Sequence, residues 1–278
     1  MRVGHLFWAA LLIGGSLMAQ LVLPNEAGVT MGHIQLTVKD IDAQSRFWVE
    51  MIGGTVVKNE KLSEIEFPGV FLLLRQGDPT GPSAGSTVDH FGFVVRDLPA
   101  ALAKWRSNGL TVTQSAYNPN QGSVTGPEGI RLEVFGDPGL GVPVQMNHIH
   151  FMVLASDIPA IQAWYAKAFG WTPGKRESVA RPGNIVITDE LPGEINLSLS
   201  AAKNAPAPTR GRSIDHIGFE VENLDAFCKK IEANGIKLDE PVRRSPNSPR
   251  MKVAFLTDPW GTRIELTEGL ASPAKKIN

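Results

Sequence analysis

VDHFGFVVRDLPAALAKW, residues 88–105, reads as one strand running straight into one helix. His90, Gly92 and Val94 fall on one face of the strand and Phe91, Phe93 and Val95 on the other, so the aromatic face is expected to meet a helix. That helix follows at once. Asp97 is placed to cap it, Pro99 sits in its first turn, Leu98, Leu102 and Trp105 make one apolar stripe, and Gly109 stops it. Three other stretches restate the design: MGHIQLTVKDIDAQSRFW from Met31, MNHIHFMVLASDIPAIQAW from Met146 and IDHIGFEVENLDAFCKK from Ile214. Fourfold repetition of one βα unit is a statement about the fold.

Short strand candidates follow each helix, at 70–75, 130–135, 195–200 and 253–257, separated by Gly and Pro turns. Each unit therefore predicts a βαβββ module, and the chain an α+β fold of two tandem domains. In each domain two modules would pair into a curved mixed sheet around a cleft. The Pro/Gly-rich stretch GDPGLGVP, 136–143, marks the expected boundary between a first domain over 28–140 and a second over 144–270.

With 278 residues and 42% hydrophobic composition, each domain can bury a real core. The 27 basic and 28 acidic residues occur in no long block, which argues against a nucleic-acid partner. Residues 1–19 read as a secretory signal peptide: Arg2 precedes an apolar run from Leu6 to Ala19 that is too short and Gly-interrupted for a comfortable membrane span. A secreted or periplasmic location follows, with a membrane contact only if this segment stays uncleaved. Cys228 is the sole cysteine, so no disulfide can form within the chain.

On VDHFGFVV, IDHIGFEV and the closing motif DPWGTRIEL (258–266), with GPEGIRLEV (126–134) as a looser counterpart, the chain resembles the vicinal oxygen chelate superfamily over residues 31–270. That superfamily includes glyoxalase I, bleomycin-resistance proteins, methylmalonyl-CoA epimerases and extradiol dioxygenases. The resemblance implies metal ligands on the first strand of each module and on the last strand of the second module of a pair. By position it assigns His33, His90 and Glu133 to the first domain, and His148, His216 and Glu265 to the second. Two imidazoles and a carboxylate suit one divalent metal per set, with Fe(II) or Mn(II) favoured and Zn(II) or Ni(II) fitting the same atoms.

Strand parity supports the assignment independently. Gly92 and Gly218 stand two residues after His90 and His216, on the same face, where a missing side chain lets something approach the backbone. His150 shares the face of His148 as a supporting group or as the true ligand, and Gln35 takes that place beside His33. Thr37, Arg131, Arg263 and Thr267 share these faces too, as a merely solvated sheet surface would also arrange. Trp260 is a candidate for lining a site entrance, and Arg243 and Arg250 for receiving an anionic substrate group, although basic loop residues need no function.

Glyoxalase I-like relatives carry a fourth ligand, usually Glu, on the strand closing the first module of a pair. The matching stretches are VFLLLR (70–75), without a carboxylate, and EINLSLS (194–200), where Asn196 or Ser198 is the best match. The His and Tyr that assist extradiol dioxygenases are missing from 243–256, with Phe255 at the Tyr position. The expectation is an exported metal-dependent enzyme acting on a small substrate with adjacent oxygens, by a dioxygenase-like reaction. A glyoxalase-like lyase or epimerase, made credible if Glu64, Glu66 or Glu194 faces the metal, and a non-catalytic small-molecule binding protein are the alternatives; a homodimer is compatible with all three.

Overall fold

The computed structural model describes residues 21–59, 62–178 and 183–271; the expected signal segment, 1–19, lies outside them. Four βαβββ modules follow one another. The first comprises β1 (Val29–Val38), α1 (Ile41–Arg46), which continues as a π-helical turn over Phe47–Ile52, β2 (Thr55–Asn59), β3 (Leu62–Phe67) and β4 (Val70–Gln76). The second has β5 (Val88–Val95), α2 (Leu98–Ser107), β6 (Thr111–Gln114), β7 (Gln121–Thr125) and β8 (Arg131–Gly136). In the third are β9 (Val144–Val153), α3 (Ile158–Phe169), β10 (Thr172–Glu177), β11 (Ile185–Glu190) and β12 (Asn196–Ala201). The fourth holds β13 (Ile214–Val221), α4 (Leu224–Ala233), β14 (Glu240–Arg244), β15 (Lys252–Thr257) and β16 (Arg263–Glu268).

Local signals act as their chemistry requires. The Asp97 carboxylate accepts from Ala100 N at 2.9 Å to start α2, and Asn223 Oδ1 accepts from Ala226 N at 3.0 Å to start α4. Gly109 and Gly235, past the ends of these helices, take φ of 75° and 85°, values that a side chain would disfavour.

The α+β class and the pairing of modules into mixed sheets hold, but the partners are not those of chain order. One eight-stranded sheet runs β14-β15-β16-β13-β1-β4-β3-β2 and the other β10-β11-β12-β9-β5-β8-β7-β6. An inner sheet thus joins the second and third modules through antiparallel β5 and β9, and an outer sheet joins the first and fourth through antiparallel β1 and β13. The physical reason lies in the connectors. The shortest, 137–143, delivers β9 beside β5. The two longer ones, 77–87 and 202–213, cross between the sheets and bond to each other, with Thr87 N to Ala207 O at 3.0 Å and Thr80 N to Gly211 O at 2.7 Å.

A single apolar core joins the two sheets. Phe91 of β5 does meet a helix, but one of another module: it stacks on Trp48 with centroids 5.6 Å apart. Phe67 meets Phe93 at 4.7 Å and Trp171 meets Phe219 at 4.7 Å, so aromatic pairs bind sheet to sheet on both sides. Truncating one of these buried rings to Ala costs about 3–5 kcal/mol. With these faces committed to the core, the opposite faces carry the polar residues.

Candidate metal centres

All six expected ligands gather, in two groups that cut across the halves of the chain. His33, His216 and Glu265 form an outer centre, and His90, Glu133 and His148, joined by His150, form an inner one; within each group the ligand atoms lie within 4.8 Å of one another. The grouping of His33 with His90 and Glu133, and of His148 with His216 and Glu265, is therefore corrected. The same six residues come together, but they group by sheet, and each sheet draws on both halves.

Two local devices aim the histidines. On β1 and β9 a bulge adds one residue, Gly32 or Asn147, immediately before His33 or His148. Facing them, Gly218 and Gly92 leave room for the imidazoles: a Cβ on Gly218 would lie 2.0 Å from the His33 ring, and one on Gly92 2.2 Å from the His148 ring. What approaches each glycine is thus the histidine from the opposite half of the chain.

In the outer centre Glu265 Oε2 lies 3.1 Å from His33 Nε2 and 2.9 Å from His216 Nε2. A carboxylate oxygen only accepts, so His216 Nδ1–H donates to Asp215 Oδ1 at 2.6 Å and Nε2 is turned to the centre. The inner centre repeats this plan. His90 Nδ1–H donates to Asp89 Oδ1 at 2.7 Å, His148 Nδ1–H donates to Asn147 Oδ1 at 2.9 Å, and Gln121 Nε2 holds Glu133 Oε1 at 2.6 Å. Glu133 Oε2 is 3.1 Å from His148 Nε2 and 3.5 Å from His90 Nε2. His150 stacks on His90 with centroids 4.5 Å apart, and its Nε2 meets Ser200 Oγ at 2.9 Å.

Burial works to raise Glu133 and Glu265, yet the pair of histidines beside each carboxylate holds both well below the usual carboxylate range. Burial pushes His33 and His148 down, and pushes His150 down to about 3. For His216 burial lowers the pKa, but Asp215 and Glu265 together raise it. Anionic carboxylates among largely neutral imidazoles are the donor set of a borderline divalent ion. The fit is supported by an orphan: His148 Nε2 is buried 3.1 Å from Glu133 Oε2, yet lies off the line that a hydrogen bond requires. His33 Nδ1 is also without a partner among the described residues, because the residue at the Asn147 position is Gly32.

The remaining expected residues divide. Gln35 donates to Leu73 O at 2.9 Å and stays out of the outer centre. Trp260 packs on Trp164 at 6.5 Å against the core instead of lining a site entrance, because Asp258 Oδ1 accepts from Trp260 N and Thr262 N and winds the DPWGT turn onto itself. Arg243 pairs with Glu240 at 2.9 Å, and Arg250 is exposed in the turn before β15; neither belongs to a ligand group. Glu64 and Glu66 share the outer centre's face but sit opposite Leu73 and Phe71, one strand farther out, and Glu194 is exposed in a turn. The merely solvated residues prove to be paired: Arg131 with Asp89 at 3.0 Å, Arg263 with Asp215 at 3.1 Å, Thr37 with Arg75 at 2.9 Å and Thr267 with Glu220. Sequence reasoning missed Asp89, Asn147 and Asp215, whose signal was plain: each directly precedes a ligand histidine.

Both centres contain a His-His-Glu set, and they differ in lining. Strand partners project to the same face. Beside the outer ligands that register places Phe71 next to His33, Leu73 next to Gln35, Phe255 next to Glu265 and Val253 next to Thr267. The matched inner positions are Asn196 next to His148, Ser198 next to His150, Ser123 next to Glu133 and Gln121 next to Phe135. Those four outer residues join Met251 and Leu270 in an apolar cluster, with Leu21 packed against it. Beside the inner centre a cleft of about 430 Å³ opens between Phe135, Asn147, Asn196, Arg176 and the 118–120 turn.

Comparison with known proteins places this geometry. Glyoxalase I from Zea mays superposes with a TM-score of 0.68 at 16% identity, covering 86% of this chain and 92% of that one. A putative dioxygenase from Bacillus subtilis superposes at 0.64 with 14% identity, covering 90% and 86%. At such identities these likenesses concern the fold alone. No curated protein matches the chain in sequence. The family model of the Glyoxalase/Bleomycin resistance protein/Dioxygenase superfamily matches twice, over residues 30–134 and 147–266. With two repeats of that model and a His-His-Glu group in each sheet, the chain belongs to the Glyoxalase/Bleomycin resistance protein/Dioxygenase superfamily.

Proposed function

We propose that the inner centre is the active site of an exported, divalent-metal-dependent enzyme that acts on a small substrate with adjacent oxygens, by a dioxygenase-like reaction. The observation that carries this reading is the convergence of His90, His148 and Glu133 beside an open cleft with Asn147, Asn196 and Arg176 in its lining, with the imidazoles of His90 and His148 each oriented by its own partner. A bound Fe(II) or Mn(II) would supply Lewis acidity and redox exchange with oxygen. Asp89 and Asn147 fix the tautomers that turn Nε2 toward the ion, and Gln121 holds the far oxygen of Glu133 so that Oε2 is presented. An isomerisation of the glyoxalase type lacks its base here, because Asn196 and Ser198 stand where a carboxylate would be needed and Ser198 Oγ is bonded to Asn196 Oδ1 at 2.8 Å. The outer centre, covered by Phe71, Leu73 and Phe255, serves as a structural counterpart.

The test is elemental analysis of protein purified without chelator, followed by oxygen uptake on catechols. Bound metal that is lost from the inner centre in Glu133→Ala, together with oxygen consumption, is the expected result. Protein that takes up no Fe(II), Mn(II), Ni(II) or Zn(II) when these are added anaerobically would sink the enzyme reading. Amino-terminal sequencing of the mature protein, expected to begin at Gln20, tests export.

A further inference from the structure

Three of the carboxamides lining the inner cleft have only donors left to offer. Asn118 Oδ1 accepts from Asn120 N at 2.9 Å, Asn147 Oδ1 from His148 Nδ1 at 2.9 Å, and Asn196 Oδ1 from Ser198 Oγ at 2.8 Å. Each of these three carboxamides spends its oxygen inside the protein, and its NH2 group has no acceptor among the described residues; the side chain of Asn120, also in the lining, makes no hydrogen bond to a described residue. Arg176 of β10, half-buried in the same cleft, likewise has no ion pair among the described residues. It is near enough for its charge to act on His148. Among the described residues no carboxylate lines the cleft.

A half-buried guanidinium beside three unspent amide donors is matched by an acceptor-rich anion. Phe135, which meets His148 with centroids 5.8 Å apart, adds an apolar wall on the side nearest the ligands. At about 430 Å³ the cleft suits a molecule of roughly a dozen heavy atoms.

Resting on the inner-centre reading above, we propose that its substrate is a small carboxylate bearing adjacent oxygens, whose carboxylate is paired by Arg176 while its oxygens face His90, His148 and Glu133. The anion-receiving role that sequence alone offered to Arg243 and Arg250 thus falls to an arginine on the other sheet.

The experiment uses the full mature chain loaded with Zn(II), which cannot turn over, and compares by calorimetry three probes with the same vicinal hydroxyls: catechol, 3,4-dihydroxybenzoate and 3,4-dihydroxyphenylacetate. At least one carboxylate is expected to bind ten-fold or more tighter than catechol. Arg176→Met should remove that advantage and leave catechol affinity and zinc content unchanged. Zinc-loaded protein that prefers neither carboxylate, binds none of the probes, or keeps its preference in Arg176→Met overturns the assignment to Arg176 alone. Protein whose inner centre retains no zinc, checked against Glu133→Ala, overturns the metal reading on which the assignment rests.

Discussion

Asp189 lies fully buried on β11, where neither of its carboxylate oxygens has a hydrogen-bond partner among the described residues, and nor has Oγ1 of Thr188, its neighbour in sequence. Burial first, and the charge of Glu190 second, push its carboxyl up to about 7. An unfolded Asp titrates near 3.9, so between about pH 4 and 7 the folded chain holds a proton that the unfolded chain has released. Stability from this group therefore falls as pH rises through that window. Asp189→Asn, which keeps the shape and removes the charge, is expected to stabilise the protein at pH 8 by about 1–3 kcal/mol and to change little at pH 5. Thermal melts of both proteins at the two pH values check it; an equal effect at both would mean that Asp189 is not the titrating group. At this scale the sequence was most legible for the candidate ligands, because His-x-Gly on a strand and a late Glu recur together in two otherwise divergent modules, the second and the fourth. Asp189 was illegible, since a strand-borne Asp next to Glu190 reads as solvated until the packing of α3 is known.

Along β1 and β9 the bulge decides what each histidine can do. At the outer centre the extra residue is Gly32, where a Cβ would come within 2.9 Å of Glu220 N, and His33 Nδ1 is left without a partner. In the inner sheet the same place holds Asn147, which fixes His148 and also faces the cleft. Asn147→Gly imitates the outer strand inside the inner one. It is expected to weaken metal binding at the inner centre by about 10–100-fold while leaving the fold intact. Competition titration with a chelator, using the outer centre as internal reference, reads the effect; unchanged affinity would mean that the Nδ1 partner is irrelevant. Bulges were not legible beforehand, because strand alternation read from sequence assumes an unbroken period of two.

For the whole molecule, each sheet takes one module from either side of the 137–143 connector, and metal stoichiometry should follow. His33→Ala combined with Glu265→Ala is expected to remove one equivalent and spare the inner site. His33→Ala combined with His90→Ala should remove both. Elemental analysis of the two double variants distinguishes this arrangement from pairing within each half, for which the second combination would cost one equivalent only. The modules themselves, their caps and their order could be read from the chain because those signals are local. Which module pairs with which was not legible: all four first strands are alike, and the choice rests on connector lengths and on bonds between 77–87 and 202–213.

The inner sheet is nested within the outer one as a bracket within a bracket, and this imposes an order on synthesis. All strands of the inner sheet have been synthesised once Ala201 is added, whereas β1, complete at Val38, cannot meet β13 until Ile214 and the residues after it have been made as well. The first module therefore waits with one strand edge unpaired while the two modules after it close on each other, exposed to wrong partners for longer than any other part of the chain.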